Sequence, residues 1–293
     1  MRRRDIHKLK IASAIFFALG LFAGVGTAQP VPIEDIPPEI LRHRLRVAGD
    51  SIRFCVHSEA LIADFDRAIA AELGSILLLD VDYYEIIPPA RVPSLDYRMP
   101  LSNAELFVFL TDNCDAFLGF TLAAGGYPDW MTFTRGYLRT RFVLAATDQG
   151  FNRMGDLPRD QPIGTRSLSQ ADIHFASFLR SLPEQARWRR FPYPDNAVLV
   201  ERLLDGTIIA ALVWEPALYA ATGGNPGNYG VSVISLEPMA EPIYLEFGVA
   251  LREREAFLRT IFDQGIVALI EEGVVEELLD KHDLPGRPGS LGR

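Results

Sequence analysis

Two cysteines, Cys55 and Cys114, are all that this 293-residue sequence contains, so at most one disulfide can form within it. Both fall near expected strands of the same half of the chain, and two readings stand: a bridge, or two buried thiols serving as small hydrophobes. Motifs of covalent or phosphate chemistry are missing as well. There is no Gly-x-Ser-x-Gly elbow, no Gly-x-x-x-x-Gly-Lys loop and no His-Glu-x-x-His. His43, His57, His174 and His282 are too scattered to suggest a zinc site, and His57, two residues from Cys55, reads as a satisfied polar residue rather than a base. The expectation is a non-enzyme with no metal and no cofactor. Beyond the N-terminal residues, no apolar run reaches the roughly 20 residues of a membrane span. An excess of basic charge is also lacking, with 29 Lys and Arg against 38 Asp and Glu.

What is present begins with a compartment signal. Arg2, Arg3, Arg4, Lys8 and Lys10 precede an apolar run from Ile11 to Val25 that closes on Gly26-Thr27-Ala28, the layout of a signal peptide over residues 1–28. The competing reading is an uncleaved anchor helix, for which the run is short. Export to the periplasm and cleavage after Ala28 are expected, by either the general or the twin-arginine route. Cleavage takes five basic residues and one acidic residue from those totals and leaves a formal charge of about −13. A nucleic-acid partner is excluded on that ground, since phosphate binding needs a concentrated basic surface.

The remaining length suits two lobes better than one core. Residues 52–56 read as a strand, and the spacing of Phe65, Ala68, Ile69 and Leu73 predicts a helix stopped by Gly74. A β-rich run from Ile76 to Tyr84, a helix from Asn103 to Leu110 and a strand from Cys114 to Gly119 complete a β-α-β-α-β order, which predicts a parallel sheet. A second β/α series follows: strands at Phe142–Ala146 and Pro162–Thr165, helices near Ser169–Leu182 and Val198–Leu204, and the apolar run after Gly206 that ends on Trp214-Glu215-Pro216. A strand buried on both faces is nearly continuous in Val, Leu, Ile and Ala, and ligands in open α/β sheets bind beyond such strand ends. Strands at Val231–Leu236 and Tyr244–Leu251 precede a helical C-terminal part whose apolar face includes Phe257, Leu258, Ile261, Phe262, Ile266, Leu269 and Ile270. Residues 286–293 read as a flexible tail.

This order, with Phe247-Gly-Val-Ala-Leu-Arg-Glu253 and Gly273-Val-Val-Glu-Glu-Leu-Leu-Asp-Lys-His-Asp-Leu-Pro285, resembles the type 2 periplasmic substrate-binding proteins, in particular solute-binding protein family 3. A narrower branch, associated with quinoprotein methanol and alcohol dehydrogenases, is similar in Ile52-Arg-Phe-Cys55, Cys114-Asp115, Thr134 to Thr140 and Trp214-Glu215-Pro216. The resemblance implies an α/β fold of two lobes, each a mostly parallel sheet flanked by helices, joined by a two-strand hinge. Lobe one is then residues 29–137 plus 243–285, and lobe two residues 138–242. It also implies a small polar ligand or a periplasmic quinoprotein dehydrogenase as partner, the alternative being an ABC permease and service as an importer's amino-acid or carboxylate receptor. The departures bear on the ligand: Tyr127 stands where the family has a carboxylate-clamping Arg, and Ile209 where the branch has an Asp.

The candidate ligand residues follow strand ends. They are His57, Ser58, Gly119, Phe120 and Tyr137 on lobe one, and Thr165, Arg166, Ser167, Trp214 and Glu215 on lobe two. Arg166 is the best anion ligand, because Thr165-Arg166-Ser167 precedes a helix whose first N–H groups favour negative charge. The alternative reading makes Ser167 or Ser169 a helix cap and Arg166 a surface charge. Trp214 reads equally as core packing or as a stacking wall, and Glu215 as an acidic cleft residue or a degenerate one.

Overall fold

Alternation along β1 (Ser51–His57) sets up the first lobe. Ile52, Phe54 and Val56 face one way, into a core shared with Phe65, Ile69 and Leu73 of helix α1 (Ala63–Leu77) and with Leu258, Phe262, Ile266 and Leu269 of α6 (Ala256–Glu271). The rings of Phe54 and Phe262 stack with centroids 5.6 Å apart. Each such side chain contributes about 1.5–3 kcal/mol by leaving water. Cys55 points the other way, into a second cluster with Ile86, Leu106, Leu110 and Phe117, and is bonded there to Cys114 with Cα atoms 5.5 Å apart. Of the two readings of the cysteines, the bridge is the one present.

The computed structural model describes residues 51–58, 60–87, 101–122, 127–147, 150–239 and 243–290. The expected signal peptide, the proline-rich start of the mature chain and the loop from Pro88 to Pro100 lie outside them. After β1 and α1 come β2 (Asp80–Ile86), α2 (Asn103–Val108) with a π-turn over Phe109–Asn113, β3 (Ala116–Leu122) and β4 (Met131–Phe133). Strand β5 (Leu138–Thr147) leads into β6 (Pro162–Arg166), α3 (Gln170–Ser181), β7 (Arg189–Tyr193), α4 (Asn196–Leu204), β8 (Ala210–Trp214), α5 (Glu215–Ala221) and β9 (Val231–Ile234). Strand β10 (Tyr244–Arg252) returns the chain, and α6, α7 (Val274–Lys281) and β11 (Arg287–Pro288) end it. The strands lie in the order β2-β1-β3-β10-β5-β8-β6-β7, with β4 beside β10 and both β9 and β11 beside β5.

The expected β-α-β-α-β unit is parallel, β1 pairing in parallel with β2 and β3. The second half repeats this with β6 parallel to β7 and β8. Strands β5 and β10 are the ones that cross. Over Leu138–Arg141 β5 pairs with β10, and over Phe142–Ala146 with β8, while β10 goes on to pair with β3. Strand β8 is buried on both faces, as its unbroken apolar sequence requires: Ala210 and Leu212 meet Phe175 and Leu179 of α3, and Ala211 and Val213 meet Leu199 and Leu203 of α4.

Several elements differ from expectation for identifiable reasons. Helix α1 runs through Gly74, where the missing side chain lets Val81 of β2 pack close, and ends instead on Leu78 in the left-handed region at φ 54°. The β-rich run therefore starts at Asp80, not Ile76. Phe257 is 79% exposed and off the apolar face of α6. Strand β7 went unpredicted because it is an exposed edge with no alternating pattern. Within the segment expected to be a loose tail, Arg287–Pro288 pair with Arg139 and Leu138, and Ser290 donates from both N and Oγ to Glu246.

Candidate functional site

A cleft of about 650 Å³ opens between the two half-sheets, a volume in the range of small-molecule sites. The first lobe contributes Ala60, Leu61 and Thr121, the crossing strands Phe142, Leu245 and Phe247, and the second lobe Arg166, Trp214 and the Pro194–Ala197 turn. Alternation explains the crossing-strand residues. Leu245 and Phe247 share one face of β10, while Tyr244 and Glu246 share the reverse.

The walls are apolar and anchored. Trp214 donates its indole N–H to Thr140 Oγ1 at 2.8 Å, and its ring lies 6.1 Å from that of Phe247. The polar end is Arg166, at the last position of β6, with no carboxylate partner among the described residues. Beside it, helix α4 begins. Asp195 caps that helix by accepting from the Val198 N–H at 2.8 Å, and Asn196 Oδ1 is buried without a hydrogen-bond partner. Arg166, Asn196 and the Asp195-capped start of α4 thus line the same otherwise apolar hollow.

The loop that presents Arg166 is held from beneath by Asp172 of α3. Its buried carboxylate accepts from Thr165 Oγ1 at 2.5 Å, from the Leu168 N–H at 3.0 Å, and from Arg190 Nε and Nη2 at 2.6 and 2.8 Å. Burial alone raises the Asp172 pKa, but these donors outweigh it and hold the carboxyl below the ordinary range. Leu168 turns the chain at φ 60°, and Ser169 Oγ caps α3 by accepting from the Asp172 N–H. Asp172→Asn is expected to lower stability by about 1.5–3 kcal/mol at pH 7, since hydrogen bonds to a charged acceptor carry that much. Because the pKa is depressed, the contribution is present above pH 4 and disappears as pH falls through the folded value. Urea unfolding at pH 7 and at pH 3 checks both statements.

Of the ten residues chosen from the sequence, the cleft gathers Arg166 and Trp214. His57 ends β1 and Ser58 follows it, just before the cleft's Ala60, and Ser58 Oγ donates to the Ile86 carbonyl at 3.2 Å. Phe120 is drawn into an aromatic cluster with Tyr127 and Phe133. Tyr127 donates its hydroxyl to the Thr121 carbonyl. Tyr137 is fully buried: its hydroxyl donates to Asp66 Oδ1 at 2.5 Å and accepts from the Gly119 N–H at 2.7 Å. Gly119 sits at φ 68°, and a Cβ there would collide with the Asp66 carboxylate. Thr165 serves Asp172, and Ser167 donates its N–H to the Tyr193 carbonyl at 2.7 Å. Glu215 is buried on the reverse face, paired with both Arg141 Nε and Nη2 at 2.8 and 2.7 Å. Tyr137, Thr165 and Glu215 thus each hydrogen-bond to a partner within the chain and lie outside the lining of the cleft. The Asp195-Asn196 cap before Val198-Leu199 was the signal available for the missed turn.

No family model and no curated protein sequence matches the chain. Solved structures do. The second substrate-binding domain of GlnP from Lactococcus lactis, in an open conformation, is 15% identical, with 80% of this chain and 96% of that one covered and a TM-score of 0.60. The fold is that of the type 2 periplasmic binding proteins. The same binding-protein fold relates the chain to the amino-acid transporter substrate-binding protein AbpA of Streptococcus pneumoniae, solved with L-arginine, at 15% identity, 80% and 94% coverage and a TM-score of 0.52. It also relates it to the periplasmic binding protein XoxJ of Methylobacterium extorquens, at 18% identity, 80% and 98% coverage and a TM-score of 0.50. These neighbours are binding proteins. Among the described residues of this binding-protein fold, no group of three or more His, Cys, Asp or Glu is placed to hold a metal, and no helix is long and apolar enough to cross a membrane.

Proposed function

We propose that the protein is an exported solute-binding protein that takes a small ligand with an apolar body and a carboxylate in the cleft between its lobes, residues 29–137 plus 243–285 and residues 138–242. The observation that carries this reading is Arg166, without a carboxylate ion-pair partner among the described residues, in the lining of the Trp214-walled hollow. The absence of a clamping Arg at Tyr127 argues for a ligand other than an ordinary α-amino acid. Residues 1–28 act as the signal peptide, and the ligand is either passed to an ABC permease or used within the periplasm.

The second use is support of a periplasmic quinoprotein dehydrogenase, favoured by the strings around Cys55, Cys114, Thr134 and Trp214. Co-elution of the mature protein with such a dehydrogenase supports this use. Its absence leaves the permease route.

The test is thermal unfolding of residues 29–293 against amino acids, small carboxylates and pyrroloquinoline quinone. A ligand at 100 times its Kd adds about 2.7 kcal/mol, a shift of several degrees. Arg166→Gln is expected to weaken binding about ten- to a hundredfold while leaving the ligand-free midpoint within a degree or so. A carboxylate that binds this variant as tightly as the native chain would overturn the assignment of Arg166.

A further inference from the structure

The reverse face of the crossing strands holds a second hollow, of about 240 Å³, lined by Arg139, Thr140, Arg141, Glu215, Tyr244 and Arg287. Strand geometry collects its charges. Arg139 and Arg141 lie two apart on β5 and share a face. Arg287 of β11 stands opposite Arg139 on one side, and Tyr244 of β10 stands opposite Arg141 on the other. Three guanidinium groups thus meet in one depression of a chain whose formal charge is −9.

One of the three is neutralised. Arg141 is held by both oxygens of Glu215. Arg139 and Arg287 have no carboxylate within ion-pair distance among the described residues. Each instead lies over the Tyr244 ring, with Cζ atoms 4.1 and 4.7 Å from its centroid. Glu246, the residue opposite Arg139 on β10, turns its Oε1 to the N–H and hydroxyl of Ser290. Like charges directly opposite across a sheet repel, and an aromatic face offsets that in part. An anion seated between the two guanidinium groups would offset the remainder. The ring and the Glu215 pair already fix the positions of the donors, so little side-chain freedom is left to lose on binding.

We infer that this hollow is an anion site, distinct from the cleft, for a small dianion of the phosphate or dicarboxylate class. Two unpaired forks and a third held in place suit two separated negative charges, and the volume admits inorganic phosphate or a four-carbon dicarboxylate. The inference stands apart from the cleft's ligand, because the two hollows share no lining residue.

Calorimetric titration of the mature protein with inorganic phosphate and with succinate, at constant ionic strength set by sodium chloride, tests it. Saturable binding of at least one probe is expected, weakened about tenfold or more in Arg139→Gln/Arg287→Gln and unchanged in Arg166→Gln. Preference for phosphate assigns a phosphomonoester-type ligand, and preference for succinate a dicarboxylate. Arg287→Gln alone, near the end of the chain, gives the same direction without altering the central strand. The inference is overturned if neither probe binds, if chloride competes at equal concentration, if the double variant binds as the native chain does, or if Arg166→Gln removes the binding.

Discussion

A variant with both Cys55 and Cys114 replaced by alanine is expected to lose about 4 kcal/mol of stability, the chain-entropy value for a loop of this length. The two residues are 59 apart in sequence, so reduction frees a long segment of the unfolded chain. The same bridge closes a tight local arrangement. The Asp115 N–H donates to the Arg53 carbonyl at 2.8 Å, the Arg53 N–H donates to the Asp115 carboxylate at 3.0 Å, and β1 then pairs with β3 from Phe54 and Cys55. Against a total stability of about 5–15 kcal/mol, such a loss is a large share. Urea unfolding of the alanine pair, beside the native chain with and without reductant, measures it. A difference below about 1 kcal/mol would contradict the expectation, since the loop-closure cost would then be met by other structure in the unfolded chain.

The second large effect is one of pH. Asp66 is buried on α1 with its carboxyl pushed up to about 7, because burial penalises the charged form more than the Tyr137 hydrogen bond and the Arg67 charge favour it. Its folded pKa lies above the unfolded value, so the folded state binds more protons between about pH 4 and pH 7. Stability contributed by this group therefore falls as pH rises through that window, by about 4 kcal/mol in all and about 2.5 kcal/mol between pH 5 and 8. Asp66→Asn removes the titration while keeping an acceptor for the Tyr137 hydroxyl. The drop from pH 5 to pH 8, read from urea unfolding, should be smaller in this variant by that amount. Equal slopes in the two proteins would show that Asp66 is ionised throughout. The depressed carboxyl of Asp172 acts below pH 4 and does not enter this window.

Most of the architecture was legible because it rests on periodicity. The unbroken apolar run of β8, the β-rich string of β1 and the spacing of α1 and α6 each name their element, though Gly74 does not end α1 and Phe257 lies off the buried face of α6. The site was less legible, for a reason that Tyr137 and Glu215 share. Both stand beside strand ends, yet the partner a side chain meets there belongs to an element distant in sequence. Tyr137 finds Asp66 at a separation of 71 residues, and Glu215 finds Arg141 at 74. Arg166 and Trp214 could be chosen from local sequence because they end strands β6 and β8, whose carboxyl ends face the cleft. The Asp195-Asn196 turn carried a readable capping pattern but no sign that it adjoined the other two.

The path of the chain through β5 and β10 makes the second lobe an insertion. Its entry and exit are neighbours: Arg141 and Tyr244 are paired in the antiparallel ladder, and the Phe142 N–H donates to the Ile243 carbonyl at 2.8 Å. A two-residue turn joining β5 to β10 at that rung would leave the first lobe's strands β2, β1, β3 and β10 in unbroken order. The same economy limits how the lobes can move. With two extended strands as the passage, reorientation is distributed over the backbone torsions of a few residues on each strand. Those residues, Arg139 to Phe142 and Tyr244 to Phe247, also carry one wall of the cleft and the arginines of the reverse face.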